Sequence, residues 1–401
     1  MEMKGSMKRT IFLVDMNAFF ISCEMTRNSD LIGVPAAVAG DPQKRSGIIL
    51  ASNYEARKFG VKTAMVLHEA LKLCPQMKLV PPDHSYYSQK SKEVMKILSC
   101  YTPVVEQNSI DEAWLDMTGC EEIFGKPLES ARKIMENIQN ELGLWCSIGI
   151  SENKFLAKMA SDMKKPLGIT ELWKEEISQK LWPLPVQSMQ GIGRQTAKKL
   201  TDTGIKTIGD LALSLQPLLA IKLGKRGIEL HKLANGLDDS PVVAHSEDSM
   251  KSIGRSTTLP EDLSNIEDAK IVMMQLVDEV AMTAREYSKK GHTVQLTLKY
   301  SNFDVITRQT TIPATNLTKE ITAAGVQLLK TNWNPHRPVR LLGISLSGFD
   351  TDCNVDQISM FDLPVMNNSY KEEKLEKVMD EIRKKYGVSK IKRAILMDKD
   401  S

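Results

Sequence analysis

Apolar residues recur along this chain with two periods, and the change from one to the other marks its parts. Thr10 to Val14 is a β-branched and aromatic run that ends at Asp15, and the apolar positions from there through Glu24 fall at helical spacing, which predicts strand, tight turn and helix. Gly47 to Ala51 is a second apolar run leading to Asn53, a residue type that caps helix N-termini; a helix over 54–59 is expected, with Gly60 as its stop. Further helices are predicted at about 64–73 and 85–99. Val104-Val105-Glu106 and Ala113-Trp114-Leu115-Asp116 flank the polar Gln107-Asn108-Ser109, the pattern of a hairpin and its turn. A helix near 128–142 and a strand near 144–150 follow, so strands alternate with helices up to about residue 170, as in one sheet with helices packed on it. A domain boundary is expected just past Pro166.

From Trp182 to Pro241 helical spacing dominates, with glycines at turn positions in Gly191-Ile192-Gly193 and Gly224-Lys225-Arg226-Gly227. A polar stretch near 245–252 reads as a linker. Strands at 253–259, 291–300, 303–313 and 339–349, with helices at 264–289 and 316–331, make a second α+β domain. The tail from Asp350 reads as extended and then as a charged amphipathic helix over 371–385, to which no role is assigned.

Composition narrows this only a little. A chain of 401 residues exceeds one hydrophobic core, so about two to four domains are expected. The net charge of +3 does not announce a polyanion-binding protein, and any basic surface must be locally organised. The six cysteines form no C-x-x-C pair, which removes zinc ribbons and disulfide scaffolds and fits free thiols in a reducing cytosol. No run is long and apolar enough to span a bilayer, and a soluble, cytoplasmic protein without membrane attachment is expected. Met7 could be the natural start.

Carboxylates carry the candidate chemistry. Asp15 ends a hydrophobic strand, where an acid is awkward unless it faces solvent or a cation. Asp111-Glu112 lies near the tip of the predicted hairpin, and neighbours in a regular strand point to opposite faces, so both serve one site only if the chain turns or bulges there. Three such carboxylates could hold two magnesium ions about 3.5–4 Å apart, and oxygen-only ligands suit a hard cation. Each acid taken alone is more often a solvated strand end, and its neighbours shift that balance. Tyr54 and Arg57 share one helix face, and the Arg fork suits phosphate; the bland alternative is a surface Arg beside a core Tyr.

Taken together, Val14-Asp15-Met16-Asn17-Ala18-Phe19-Phe20, Asn53-Tyr54-Glu55-Ala56-Arg57-Lys58-Phe59-Gly60, Ser109-Ile110-Asp111-Glu112-Ala113 and Lys164-Lys165-Pro166-Leu167-Gly168 resemble the ordered motifs of Y-family translesion DNA polymerases, the bacterial DNA polymerase IV branch most of all. The resemblance runs from about residue 9 to 361. It implies a multidomain α/β and α+β right-hand polymerase: palm at 1–18 and 85–172, fingers at 19–84, an all-helical thumb with a helix-hairpin-helix at 173–243, little finger at 250–350, and a C-terminal tail over 351–401. The implied activity is template-directed, low-fidelity DNA synthesis past damaged bases, moving a nucleotide from a dNTP to a primer 3′-hydroxyl and releasing pyrophosphate, without proofreading. Asp15, Asp111 and the main-chain oxygen of Met16 would bind two Mg²⁺ ions, which Mn²⁺ could replace, with Glu112 completing the site. Phe20 matches a steric gate against the ribose 2′-hydroxyl, with Phe19 beside it as gate or core residue, and Tyr54, Arg57 and Lys165 match the triphosphate contacts. Asn17, Ala51 and Asn108 depart from the residues relatives often carry there.

Gly191-Ile192-Gly193-Arg194 with Lys198-Lys199 resembles a helix-hairpin-helix whose turn amides and cations hold a DNA phosphate. Arg255, Lys299, Arg308, Arg337 and Arg340 are candidate DNA contacts of the little finger, with a solvated surface as the alternative. Gln357-Ile358-Ser359-Met360-Phe361 looks like a sliding-clamp tag, Met360 and Phe361 entering an apolar pocket and Gln357 bonding at its edge. The implied partners are primer-template DNA, dNTP and the sliding clamp, the chain acting as a monomer. A nucleotidyl cyclase on a similar palm would need neither the helix-hairpin-helix nor the clamp tag. A non-catalytic DNA-binding protein would have no use for three intact carboxylates.

Overall fold

The computed structural model describes residues 8–41, 47–244, 250–349, 363–387 and 390–391. These fall into two units, one formed by the described residues up to 244 and one by those from 250 onward. The first begins with β1 (Ile11–Met16), in which every residue is buried, as in a strand covered on both faces. After Ala18 in the left-handed region comes α1 (Phe19–Arg27), then β2 (Ala36–Ala39), β3 (Ile49–Ser52), α2 (Tyr54–Arg57), α3 (Leu67–Leu73), β4 (Lys78–Val80) and α4 (His84–Leu98). Strands β2, β3 and β4 make a small sheet in the order β3-β2-β4. Two of them, β2 and β4, went unpredicted: strands of four and three residues are too short to display a period.

The hairpin is β5 (Val105–Gln107) and β6 (Glu112–Asp116), and α5 (Glu121–Phe124), α6 (Pro127–Leu142), β7 (Cys146–Ser151), α7 (Lys154–Met163) and β8 (Ile169–Glu171) follow. The main sheet has the order β5-β6-β1-β7-β8, with β1 antiparallel to both neighbours. Phe12, Val14 and Met16 enter a core with α4 and α6 residues such as Val94 and Ile134, while Ile11 and Leu13 meet Ala157 of α7 on the other side. Helix α7 crosses so closely that a Cβ on Gly149 would collide with the Ala157 carbonyl. Because β8 pairs in parallel with β7, the sheet runs to Glu171, and the boundary expected just past Pro166 lies too early.

The helical stretch appears as α8 (Ile177–Lys180), α9 (Arg194–Thr201), α10 (Ile208–Leu213), α11 (Gln216–Leu223) and α12 (Lys225–Ala234). Leu200, Leu211 and Leu230 close a core with Leu156 and Met159 of α7, which ties this module to the main sheet.

In the second unit, β9 (Ser252–Leu263), α13 (Ile266–Glu286), β10 (Gly291–Tyr300), β11 (Val305–Thr315), α14 (Thr318–Asn332) and β12 (Val339–Phe349) give an antiparallel sheet in the order β11-β10-β12-β9 with both helices on one face. The tail helix α15 (Leu363–Tyr386) starts earlier than expected, and the stretch read as extended, with Gln357, Met360 and Phe361, lies outside the described residues. Helix α15 is held by charge: the buried Arg285 guanidinium of α13 pairs with Glu376 and with Asp380 (2.6 Å), and Arg383 pairs with Asp278 (2.7 Å). Arg285→Ala would take the guanidinium away from the buried Glu376 carboxylate, leaving it without its cation beside the Thr318 donors, so a loss of about 3 kcal/mol is expected, read as a lower urea midpoint of the second unit's transition in the full chain. An unchanged midpoint would mean that α15 is not docked in solution.

Candidate active site

Asp15 faces Glu112 across the β1–β6 pairing, and both are at the strand ends where the hairpin turns. Asp111 sits in that turn, one residue before β6, and its carbonyl accepts the Met16 amide (2.9 Å). The turn is the irregularity that adjacent carboxylates need to serve one site: Asp15, Asp111 and Glu112 all line a cavity of about 350 Å³ with Met16, Phe19, Phe20, Ala51, Tyr54, Arg57 and Lys165. Ser109 Oγ donates to Asp111 Oδ1 (2.6 Å), and Asn108 Nδ2 donates to Glu112 Oε2 (2.8 Å), so the departure at Asn108 gives Glu112 a polar partner.

Two lysines complete the electrostatics. Lys158 and Lys165 Nζ lie 2.9 and 2.7 Å from the same Asp15 Oδ2, Lys158 also bonds Glu112, and Asp162 receives both cations. Burial pushes the Asp15 carboxyl up, but its hydrogen bond with Glu112 and the two ammonium groups outweigh that and hold it below the usual carboxylate range. Glu112 moves the other way, pushed up by burial and by the hydrogen bond to Asp15 against the pull of Lys158. Burial opposes the charge on Lys158 and Lys165 as well, yet the Asp15 carboxylate raises both above an ordinary lysine. Among the described residues no three acidic, His or Cys side chains converge into a closed metal cage. The three acids line one cavity instead, with Lys158 and Lys165 paired to Asp15 and Lys158 also to Glu112. The donor set still suits hard cations, being carboxylate and main-chain oxygen only.

Asn53 caps α2 by accepting the Ala56 amide (3.0 Å) and anchors it by donating to the Val34 carbonyl (2.7 Å). That fixes Tyr54 and Arg57, whose guanidinium lies 4.7 Å over the Tyr54 ring while its Nε donates to the Ser52 carbonyl (3.0 Å). Burial raises the Tyr54 phenol despite Arg57 and Lys165 nearby. Phe19 is buried in the core as well as bordering the cavity, whereas Phe20 is half-buried and turned to it. Lys165 is carried by a turn pinned to β1: Asn17 Oδ1 accepts the Leu167 amide (2.9 Å), and Asn17 Nδ2 donates to Ser147 Oγ (3.0 Å).

Sequence reasoning missed Lys158 and the pinning role of Asn17. Lys158 and Asp162 stand four residues apart on α7 and Lys165 follows three residues later, just past the helix end, a spacing that could have been read as one polar face.

The helix-hairpin-helix candidates assemble as expected in outline: Gly191 has φ +84°, Gly193 precedes α9, and Arg194, Lys198 and Lys199 are exposed on it. The Arg226 guanidinium occupies the space a Gly191 side chain would fill, which brings the two basic turns together. In the second unit the register corrects a shared orientation. Arg255 lies opposite Ile344 and Arg308 opposite Leu296, both core residues, so these arginines stand on the helix-bearing side of the sheet, where Arg255 meets Glu279 (3.5 Å) of α13. Lys299 alternates away from them, and with Arg340 it flanks the Phe303 ring at one end of the sheet (4.7 and 4.9 Å). The open face carries Ser256, Ser345, Thr297 and Gln309 instead.

The impB/mucB/samB family model matches residues 14–162, its C-terminal domain model residues 250–360, and the helix-hairpin-helix motif model of the same family residues 174–205. The chain is 63% identical over 397 residues to a DNA polymerase IV of Clostridium kluyveri, covering 98% of this chain and 99% of the relative. It is 59% identical to a DNA polymerase IV of Alkaliphilus oremlandii, covering 98% and 100%. A solved Y-family DNA polymerase chimera superposes with a TM-score of 0.75 at 27% identity, covering 86% of this chain and 100% of that one.

Proposed function

The chain belongs to the Y-family of DNA polymerases, in the bacterial DNA polymerase IV branch, and from that premise we propose that it extends a primer past damaged template bases by nucleotidyl transfer at Asp15, Asp111 and Glu112. The observation that carries this reading is the single cavity lined by the three carboxylates together with Tyr54, Arg57 and Lys165, the last paired with Asp15. A dNTP would enter with its triphosphate between Arg57 and Lys165, whose fork and ammonium balance its charge. Bound Mg²⁺, held by Asp15, Asp111, Glu112 and the Met16 carbonyl, would supply the charge that favours an ionised primer hydroxyl and pyrophosphate departure. Lys158 would neutralise Asp15 and Glu112 while the site is open, and Phe20 would lie against the sugar. Arg194 and Lys198 would hold a duplex phosphate at the Gly191–Gly193 turn.

On this reading the palm comprises 1–18 and 85–172, the fingers 19–84, the thumb 173–243 and the little finger 250–350. Arg255 and Arg308 would act only from the edges of the little-finger sheet. No helix among the described residues is long and apolar enough to cross a membrane; the chain would work in the cytoplasm as a monomer, docked on the sliding clamp through Gln357, Met360 and Phe361, and without proofreading.

Primer extension with magnesium and deoxynucleotides tests both parts, run with and without a sliding clamp on the full chain and on a chain lacking 357–361. Distributive extension by both, stimulated by the clamp only in the full chain, is expected. No extension at all would defeat the polymerase reading, and equal stimulation of both would defeat the clamp tag alone.

A further inference from the structure

Phe20 has one face toward the nucleotide cavity, and a half-buried ring on a helix is not held in place by its own turn. Its other face is stacked on the buried Tyr87 ring of α4, centroids 4.4 Å apart and planes 15° from parallel, with His84 edge-on at 5.8 Å. Tyr87 in turn is tied down: its hydroxyl donates to Glu24 Oε1 (2.6 Å). Glu24 stands one helical turn after Phe20 on α1, is buried, and receives the Arg27 fork at both oxygens (2.8 and 2.9 Å). Arg27 reaches on to Asp83 (2.9 Å), which caps α4 by accepting the Tyr86 amide (3.1 Å). The chain of contacts therefore begins and ends on the two helices that carry Phe20 and Tyr87, and it closes a loop around them.

A buried carboxylate needs a reason. Here its three charge-assisted bonds hold a phenol whose ring backs the residue facing the sugar. We infer that Glu24, acting through Tyr87 with Arg27 and Asp83 as its anchor, is a positioning residue for sugar discrimination: it sets how far the Phe20 ring protrudes toward the nucleotide sugar. This rests on the reading of Phe20 as the sugar-facing residue. Discrimination by overlap changes steeply with ring position, and a misplacement of about 1 Å costs as much as 10²-fold in a well-fitted site. Tyr87 touches no nucleotide on this reading; it acts through Phe20 alone.

The experiment compares kcat/KM for a deoxynucleotide and the matching ribonucleotide in the full chain and in Phe20→Ala, Tyr87→Phe and Glu24→Gln. Tyr87→Phe keeps the stack and deletes only the hydroxyl, so the ribonucleotide-to-deoxynucleotide ratio should rise about five-fold, the worth of one hydrogen bond, with deoxynucleotide use within about two-fold of wild type. Glu24→Gln, which keeps the size but breaks the Arg27 fork, should raise the ratio in the same direction. If Phe20→Ala raises the ratio and neither other variant does, the inference falls and the reading of Phe20 stands. If no variant raises it, both fall. Equal losses for the two nucleotides in Tyr87→Phe and Glu24→Gln would mark a merely structural role and overturn the inference.

Discussion

Asp111→Ala is expected to lower primer extension by about 10³-fold or more while leaving the fold nearly as stable as before. The residue is half-exposed in the turn before β6, so truncation opens no core cavity, and the carbonyl that accepts the Met16 amide is main chain and survives the substitution. What disappears, on the proposed reading, is a carboxylate that would hold the cations accompanying a triphosphate, worth several kcal/mol at about 1.4 kcal/mol per factor of ten. Single-turnover extension and thermal unfolding, measured on the same preparation, separate the two effects. Extension within about ten-fold of wild type would remove Asp111 from the reaction centre, since no group contributing so little can be a required ligand.

Phe20→Ala is expected to raise ribonucleotide incorporation relative to deoxynucleotide by about 10²-fold, equivalent to relieving a clash of roughly 3 kcal/mol. Phe20 lines the cavity and is braced from behind by Tyr87, so it cannot swing back to admit an extra hydroxyl without breaking that stack. Deoxynucleotide incorporation should fall far less, because a missing ring removes contact area but creates no clash. Some stability is lost too, below the approximately 3–5 kcal/mol of a fully buried Phe→Ala change. Unchanged discrimination would return Phe20 to the core, beside Phe19.

Most of the candidate site was legible because its parts lie within short motifs. Asp15 at a strand end, the polar hairpin tip before Asp111-Glu112 and the Asn53 cap before Tyr54 are local patterns, and the fold preserves each of them. The arginines of the second unit were not legible in the same way. Whether Arg255 and Arg308 share a face with Lys299 depends on pairing register, and a shift of one residue would reverse the answer.

The sequence by itself determined the types and order of most elements, the acids of the candidate site with two of its cations, Arg57 and Lys165, and the family, since period, capping and turn chemistry act between near neighbours in the chain. Tertiary structure alone decided that Lys158 neutralises Asp15 from 143 residues away, that Asn17 pins the Lys165 turn from 150 residues away, and that Tyr87 braces Phe20 under the hold of Glu24. Those contacts arise only when sheet register and helix packing bring distant side chains within hydrogen-bond reach, and no local pattern encodes that distance.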